Sequence, residues 1–179
     1  MSGRSQCPVR HNISQDLTDS DQLRDEIREV FPSIVFHGLV TPCDCEECWG
    51  YRTALSEKSW DQIPRSFVTR TCSPALLTRE AFVAFLPIYL LGALDDLSEH
   101  NTVLEFTVYC LSPHAPREPH EVPKNSKRLR AYAKAMTNEQ IQAVRHFLMY
   151  VGANASNSDW FKPFIQVAMD LVWHSEALQ

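Results

Sequence analysis

The sequence predicts an all-α fold: a single-domain bundle of roughly six helices with a proline-broken central helix. Three observations carry that reading. Apolar residues recur at three- and four-residue intervals in several segments. Helix-capping residues stand where those segments begin. The stretch "AFVAFLPIYLLGAL" is apolar nearly all round, as a helix at the centre of a bundle must be. At 179 residues, one domain with one core accommodates the chain. The division expected is a loose N-terminal arm over 1–17 and a single helical domain over 18–179.

Taken in order, residues 1–17 have no hydrophobic periodicity. In "TDSDQLRDEIREVFP", Leu23, Ile27, Val30 and Phe31 share one helical face, acids crowd the first turns and Pro32 stops the run. This predicts an amphipathic helix over 20–31. "SIVFHGLV" reads as a short extended connector. Asp44 stands three residues before Glu47, resembling a capping box, and the spacing of Cys48, Trp49, Arg52 and Leu55 predicts a helix from about Cys45 to Glu57. "SWDQIPRSFVTRTCSP" reads as irregular. Thr78 then opens the longest and most apolar helix, which Pro87 should kink or divide in two. Ala81, Phe85, Tyr89 and Leu90 are its expected core positions.

Thr102 with Glu105 reads as a capping box for a helix through "FTVYCLSP", whose β-branched content also admits a strand. Four prolines within 112–126 predict a surface loop. "LRAYAKAM" suits a short helix. Thr137 with Gln140 caps another that carries Ile141, Val144, Phe147, Leu148 and Val151, with Gly152 as its terminator. A last helix is expected from about Ser158 to Ser175, with Phe164, Ile165, Ala168, Leu171 and Val172 on its inner face and Pro163 in its first turns.

Composition narrows the function classes. Seventeen basic against twenty-two acidic residues leave a net charge of −5, which disfavours generic attraction to nucleic acid or anionic membranes. The longest apolar stretch is too short to span a bilayer, and the first residues lack the apolar core of an export signal. The expectation is a cytoplasmic protein with reduced cysteines. No H-E-x-x-H, G-x-S-x-G, phosphate-loop or dinucleotide fingerprint occurs.

The stretch "TPCDCEECWG" concentrates what chemistry there is. Cys43, Cys45 and Cys48 supply three thiols around one helix start, a donor type that zinc favours; His37 or Cys72 would complete a four-coordinate site. There is no second C-x-x-C, so small, partly buried thiols at a capped helix start explain the same residues. A redox pair at Cys45 and Cys48 would gain from the helix dipole, but Asp44, Glu46 and Glu47 oppose a thiolate there. His114, Glu118, His120 and Glu121 sit on a proline-rich loop, a poor platform for a preorganised site. His146 reads as a structural histidine, and Asp95 and Asp96 as the polar end of the central helix.

Charge is polarised along the chain. Residues 14–31 hold six acids and two arginines, whereas 122–138 hold Lys124, Lys127, Arg128, Arg130 and Lys134 without an acid. An acidic face on Asp21, Asp25, Glu26 and Glu29 would steer a basic protein partner. The four tryptophans read mostly as core, and an exposed one would be an interface anchor.

The succession "CDCEECWGYRTALSEKSWDQI", "LLTREAFVAFLPIYLLGALDD", "LSP" and "MTNEQIQAVRHFLMYV" resembles a bacterial family catalogued only as a domain of unknown function, over about Phe31–Val151. The resemblance implies a bacterial cytosolic origin and carries no catalytic residue over. The functional expectation is therefore a non-enzymatic protein–protein interaction module without a cofactor, of the immunity or neutralising type. The alternative is a zinc-binding enzyme or regulator organised around Cys43, Cys45 and Cys48.

Overall fold

The computed structural model describes residues 19–71, 73–113 and 126–173. Eight α-helices occur among them, α1 Ser20–Val30, α2 Glu46–Leu55, α3 Arg65–Thr71, α4 Arg79–Ala93, α5 Thr102–Leu111, α6 Ser126–Ala133, α7 Asn138–Asn154 and α8 Ser158–Ala168. A single wide turn over Met169–Trp173 continues α8, and tight 3₁₀ turns occupy Trp60–Gln62 and Pro74–Leu76. No strand is present among the described residues; Phe36 and Lys58 form one isolated antiparallel bridge.

The all-α expectation holds, with two more helices than the six expected. One of the additional helices is α3, within the segment read as irregular. Only two of its seven residues, Phe67 and Val68, are buried, too few to set a periodic signal. The N-terminal arm and the proline-rich loop expected over 1–17 and 112–126 fall almost entirely outside the described residues.

Helix α4 organises the rest. It packs against α1, α3, α5 and α6, and ten of its residues are buried, including Ala81, Phe85, Tyr89 and Leu90. Pro87 does not divide it. The helix runs unbroken from Arg79 to Ala93 with Pro87 itself buried, because packing on several sides holds the backbone where one N–H is missing. Thr78 caps α4, its hydroxyl accepting from Ala81 N, and donates to Leu39 O at 2.6 Å. The second bond ties the 34–40 connector to the start of the central helix.

The second layer pairs α7 with α1 and α8. The capping box at Thr137 and Gln140 forms as expected, and the Gln140 amide also donates to Val30 O at the end of α1. Gly152 does not end α7, which continues to Asn154. A Cβ at Gly152 would lie 3.3 Å from Ile165 Cδ1, so this glycine serves the close approach of α8. The cap of α5 is Asn101 rather than Thr102, its side chain accepting from Val103 N and Leu104 N. On α8 the inner face is Phe161, Ile165 and Ala168, continued by Val172 and Trp173, while Phe164 and Leu171 are half-buried. Trp173 is fully buried and donates through Nε1 to Leu111 O at 2.8 Å, satisfying a carbonyl at the end of α5.

Charged groups join helices at the periphery. Asp95 accepts from Arg24 of α1 at 3.0 Å and pairs with Arg65 at the start of α3. His146 Nδ1 lies 2.9 Å from Glu26 Oε1, linking α7 to α1. None of the helices is long and apolar enough to cross a membrane, among the described residues.

A candidate metal centre at the start of helix α2

The acids of "CDCEEC" suit a helix start, but their arrangement differs from a capping box. The N-cap of α2 is Cys45, without a side-chain cap bond. Asp44 turns instead to Arg52, one helix length away, with which it forms an ion pair. Glu46 and Glu47 remain in the first turn, where the helix dipole favours them. Thr41 is buried, and its hydroxyl donates to Cys43 O at 3.3 Å, folding the chain back toward the helix.

That turn brings three sulfurs together. Cys43 Sγ is 3.2 Å from Cys45 Sγ and 2.9 Å from Cys48 Sγ, and all three sulfurs lie within 4.8 Å of one another. Cys43 and Cys45 are exposed while Cys48 is buried under them. The group is therefore anchored in the fold on one side and open to solvent on the other. Such a set of soft donors could hold a metal ion.

The thiols share protons unevenly. Cys43 is held below its ordinary value, chiefly by hydrogen bonding from Cys48, then by the Cys45 backbone and thiol, with the Arg52 charge adding to the effect. Cys48 is pushed up to about 11, first because it donates to Cys43 and then because burial disfavours its anion. Of these two, Cys43 is accordingly the sulfur that ionises first. In the sequence, Cys45 and Cys48 read as a redox pair that the surrounding acids disfavour; the geometry centres the group on Cys43.

His37 does not join the cluster. Its Nδ1 lies 2.6 Å from Glu57 Oε2, at the far end of α2. Backbone bonds explain this placement: Phe36 N donates to Lys58 O and Glu57 N to Phe36 O, so the connector is sewn to the end of the helix and not to its start. Cys72, the other candidate fourth ligand, lies outside the described residues, as do His114, Glu118, His120 and Glu121.

The acidic face of α1 is partly consumed by the fold. Asp21, Asp25 and Glu29 are exposed, with Asp25 2.8 Å from Arg28. Glu26 is half-buried and engaged with His146. Exposed aromatics lie elsewhere. Trp49 is 64% exposed beside Cys48, and Trp160 is 58% exposed with its Nε1 donating to Tyr109 Oη. Ile34 and Leu39, 67% and 62% exposed, add apolar surface on the connector leading to the cysteines. A side chain adjoining three thiols hid the exposure of Trp49 in the sequence; its neighbour Gly50, with nothing within 4 Å of a Cβ there, marks the open face.

No curated protein and no solved structure matches the chain. A family match covers residues 44–173, which takes in Cys45, Cys48 and helices α2 to α8 and begins one residue after Cys43. It starts later than the resemblance read from the sequence and extends further, to Trp173. The chain belongs to the family of unknown function DUF6714.

Proposed function

We propose that this protein is a non-enzymatic interaction module whose recognition end is organised by a zinc ion held by Cys43, Cys45 and Cys48. The observation that carries the reading is the convergence of the three sulfurs at the start of α2. In a tetrahedral zinc–thiolate site, Zn–S bonds of about 2.3 Å place sulfurs about 3.8 Å apart. The cluster here is tighter, at 2.9 and 3.2 Å for two of its pairs, so it need only open slightly around an ion. Two of its ligands precede the helix and one lies within it, so the ion would fix the loop against α2.

The interaction half of the reading is supported by the surface beside that site. Trp49 offers a large exposed indole, and Asp44, Glu46 and Glu47 are exposed around it in the sequence. Buried tryptophans dominate binding energy at interfaces, and an acidic rim steers a basic partner. Asp21, Asp25 and Glu29 extend the same sign over α1. A neutralising role toward a basic protein, in the bacterial cytoplasm, fits this surface.

The test is metal content and its coupling to stability. Protein purified without chelator should carry one zinc per chain. Free zinc at a hundredfold its Kd should add about 2.7 kcal/mol to unfolding free energy. The triple variant Cys43→Ser, Cys45→Ser, Cys48→Ser should lose both the ion and the zinc dependence of melting, which separates metal loss from the cost of burying a serine at position 48. Substoichiometric metal together with chelator-insensitive melting of the wild type would remove zinc from the proposal.

A further inference from the structure

We propose that Cys43 is a hydroperoxide-sensitive modification site that closes a disulfide with Cys48 and thereby empties the metal centre. The inference rests on the cysteine site proposed above and adds its regulation. Three features of the geometry carry it. Cys43 is exposed, so an oxidant of the size of hydrogen peroxide reaches it directly. Its sulfur is 2.9 Å from that of Cys48, closer than the 3.2 Å to Cys45, so a resolving thiol is already in contact. Cys48 is 1% exposed, which shields the resolving sulfur from the oxidant, and among the exposed thiols its shortest sulfur contact is the 2.9 Å one to Cys43. Thiols that are accessible and poised next to a resolving cysteine are the ones that oxidise reversibly.

The chemistry balances with a hydroperoxide as the oxidant. The Cys43 sulfur attacks one peroxide oxygen; an S–O bond forms, the O–O bond breaks and the departing hydroxide takes the thiol proton as water. Cys43 is then a sulfenic acid, oxidised by two electrons, and the peroxide has been reduced by two. The Cys48 sulfur attacks Cys43 Sγ; the S–S bond forms, the S–O bond breaks and the hydroxyl leaves as water with the Cys48 proton. In metal-free protein two thiols and one hydrogen peroxide give one disulfide and two waters; where the sulfurs are zinc-held thiolates, the same two steps give one disulfide and two hydroxides, and the ion leaves. With two of three ligands joined to each other, only Cys45 remains to hold an ion, and thiolate is the form that zinc requires.

The experiment treats full-length protein with hydrogen peroxide in two states, zinc-loaded and metal-free. Digestion after glutamate and before aspartate separates all three cysteines, since Asp44 lies between Cys43 and Cys45 and Glu46 and Glu47 lie between Cys45 and Cys48. Mass spectrometry should then find a Cys43–Cys48 linked peptide in both states, with the free-thiol count of denatured protein falling by two. From the loaded protein a chromogenic chelator should register release of the bound zinc in step with the disulfide, and dithiothreitol should reverse it. Cys43→Ser should abolish the linked peptide and Cys110→Ser should leave it unchanged; circular dichroism checks that both variants fold. Accumulation of Cys43 sulfinic acid without a linked peptide, or a bridge confined to Cys45 and Cys48, would overturn the inference. If the metal-free protein forms the Cys43–Cys48 bridge but no zinc ever binds, the metal reading fails and the oxidation site stands. If zinc binds and peroxide forms no bridge, the reverse holds.

Discussion

Deleting the same atom from two tyrosines should have opposite effects. Tyr89, on the central helix, is fully buried, and its hydroxyl makes no well-formed hydrogen bond among the described residues, with the Thr71 and Tyr51 side chains beside it. Burial pushes its phenol far up, so the group is neutral at any ordinary pH. Tyr51, on α2, is also buried, but its hydroxyl donates to Ser73 O at 2.6 Å, with Thr71 O also within reach at 3.0 Å. A buried hydroxyl left unbonded costs about 1–3 kcal/mol relative to water. Tyr89→Phe removes that cost and leaves a void of about one oxygen, worth a few tenths of a kcal/mol at about 24 cal/mol per Å³. The net expectation is a stabilisation of about 1–2 kcal/mol. Each kcal/mol raises the melting temperature of a protein this size by about 2–4 °C. Tyr51→Phe instead takes the hydroxyl bond away from Ser73 O, while Thr71 O still accepts from Ser73 N, and should destabilise by about 1 kcal/mol. Urea unfolding followed by circular dichroism reads both, with unchanged slopes showing that the denatured state is not responsible. A Tyr89→Phe variant that loses 1 kcal/mol would refute the reasoning. It would mean that the hydroxyl is bonded in solution, to the neighbouring Thr71 or Tyr51 side chain or to a buried water.

Other substitutions probe the core, the acidic face and the thiols. Leu90→Ala, at a fully buried position of α4, should cost about 2–5 kcal/mol in the same denaturation assay. The double change Asp25→Lys, Glu29→Lys should leave stability within about 0.5 kcal/mol, since both residues are exposed and only the surface pair with Arg28 is lost. Glu26→Lys should cost more than that pair of changes together, because it removes the half-buried hydrogen-bond partner of His146 Nδ1 on the helix that α1 packs upon. In metal-free protein, iodoacetamide should label Cys43 first, with a midpoint below pH 9.0 because its anion is favoured. Cys48, whose protonated form is favoured, should become reactive only as pH rises past 9.0 toward about 11. Equal labelling midpoints by mass spectrometry would contradict the shared-proton arrangement.

Local pattern was enough to define most of the helices. Leu23 and Ile27 of α1, the Thr137–Gln140 box of α7 and the all-round apolar run of α4 each lie within a few residues of the features they specify. Helical hydrogen bonds span four residues, so hydrophobic spacing and caps encode them directly. The burial of Ala81, Phe85, Tyr89 and Leu90 follows from the same short-range signal. The grouping of three thiols within six residues was visible as well, because their separation in sequence limits how far apart they can lie.

Tertiary packing decided the rest. Whether Pro87 breaks α4, or Gly152 ends α7, depends on neighbours that arrive from distant sequence: α1, α3, α5 and α6 around the first, and Ile165 against the second. The short α3 exists because Phe67 and Val68 reach a core already formed around them. Glu26 is withdrawn from the acidic face by a histidine 120 residues away, and His37 from the cysteines by Glu57, 20 residues on. The uneven sharing of protons between Cys43 and Cys48 depends on the turn held by Thr41, together with the burial of Cys48. Composition and spacing determine which groups are available; the closing of long loops determines which of them meet, since contacts of that kind have no period along the chain.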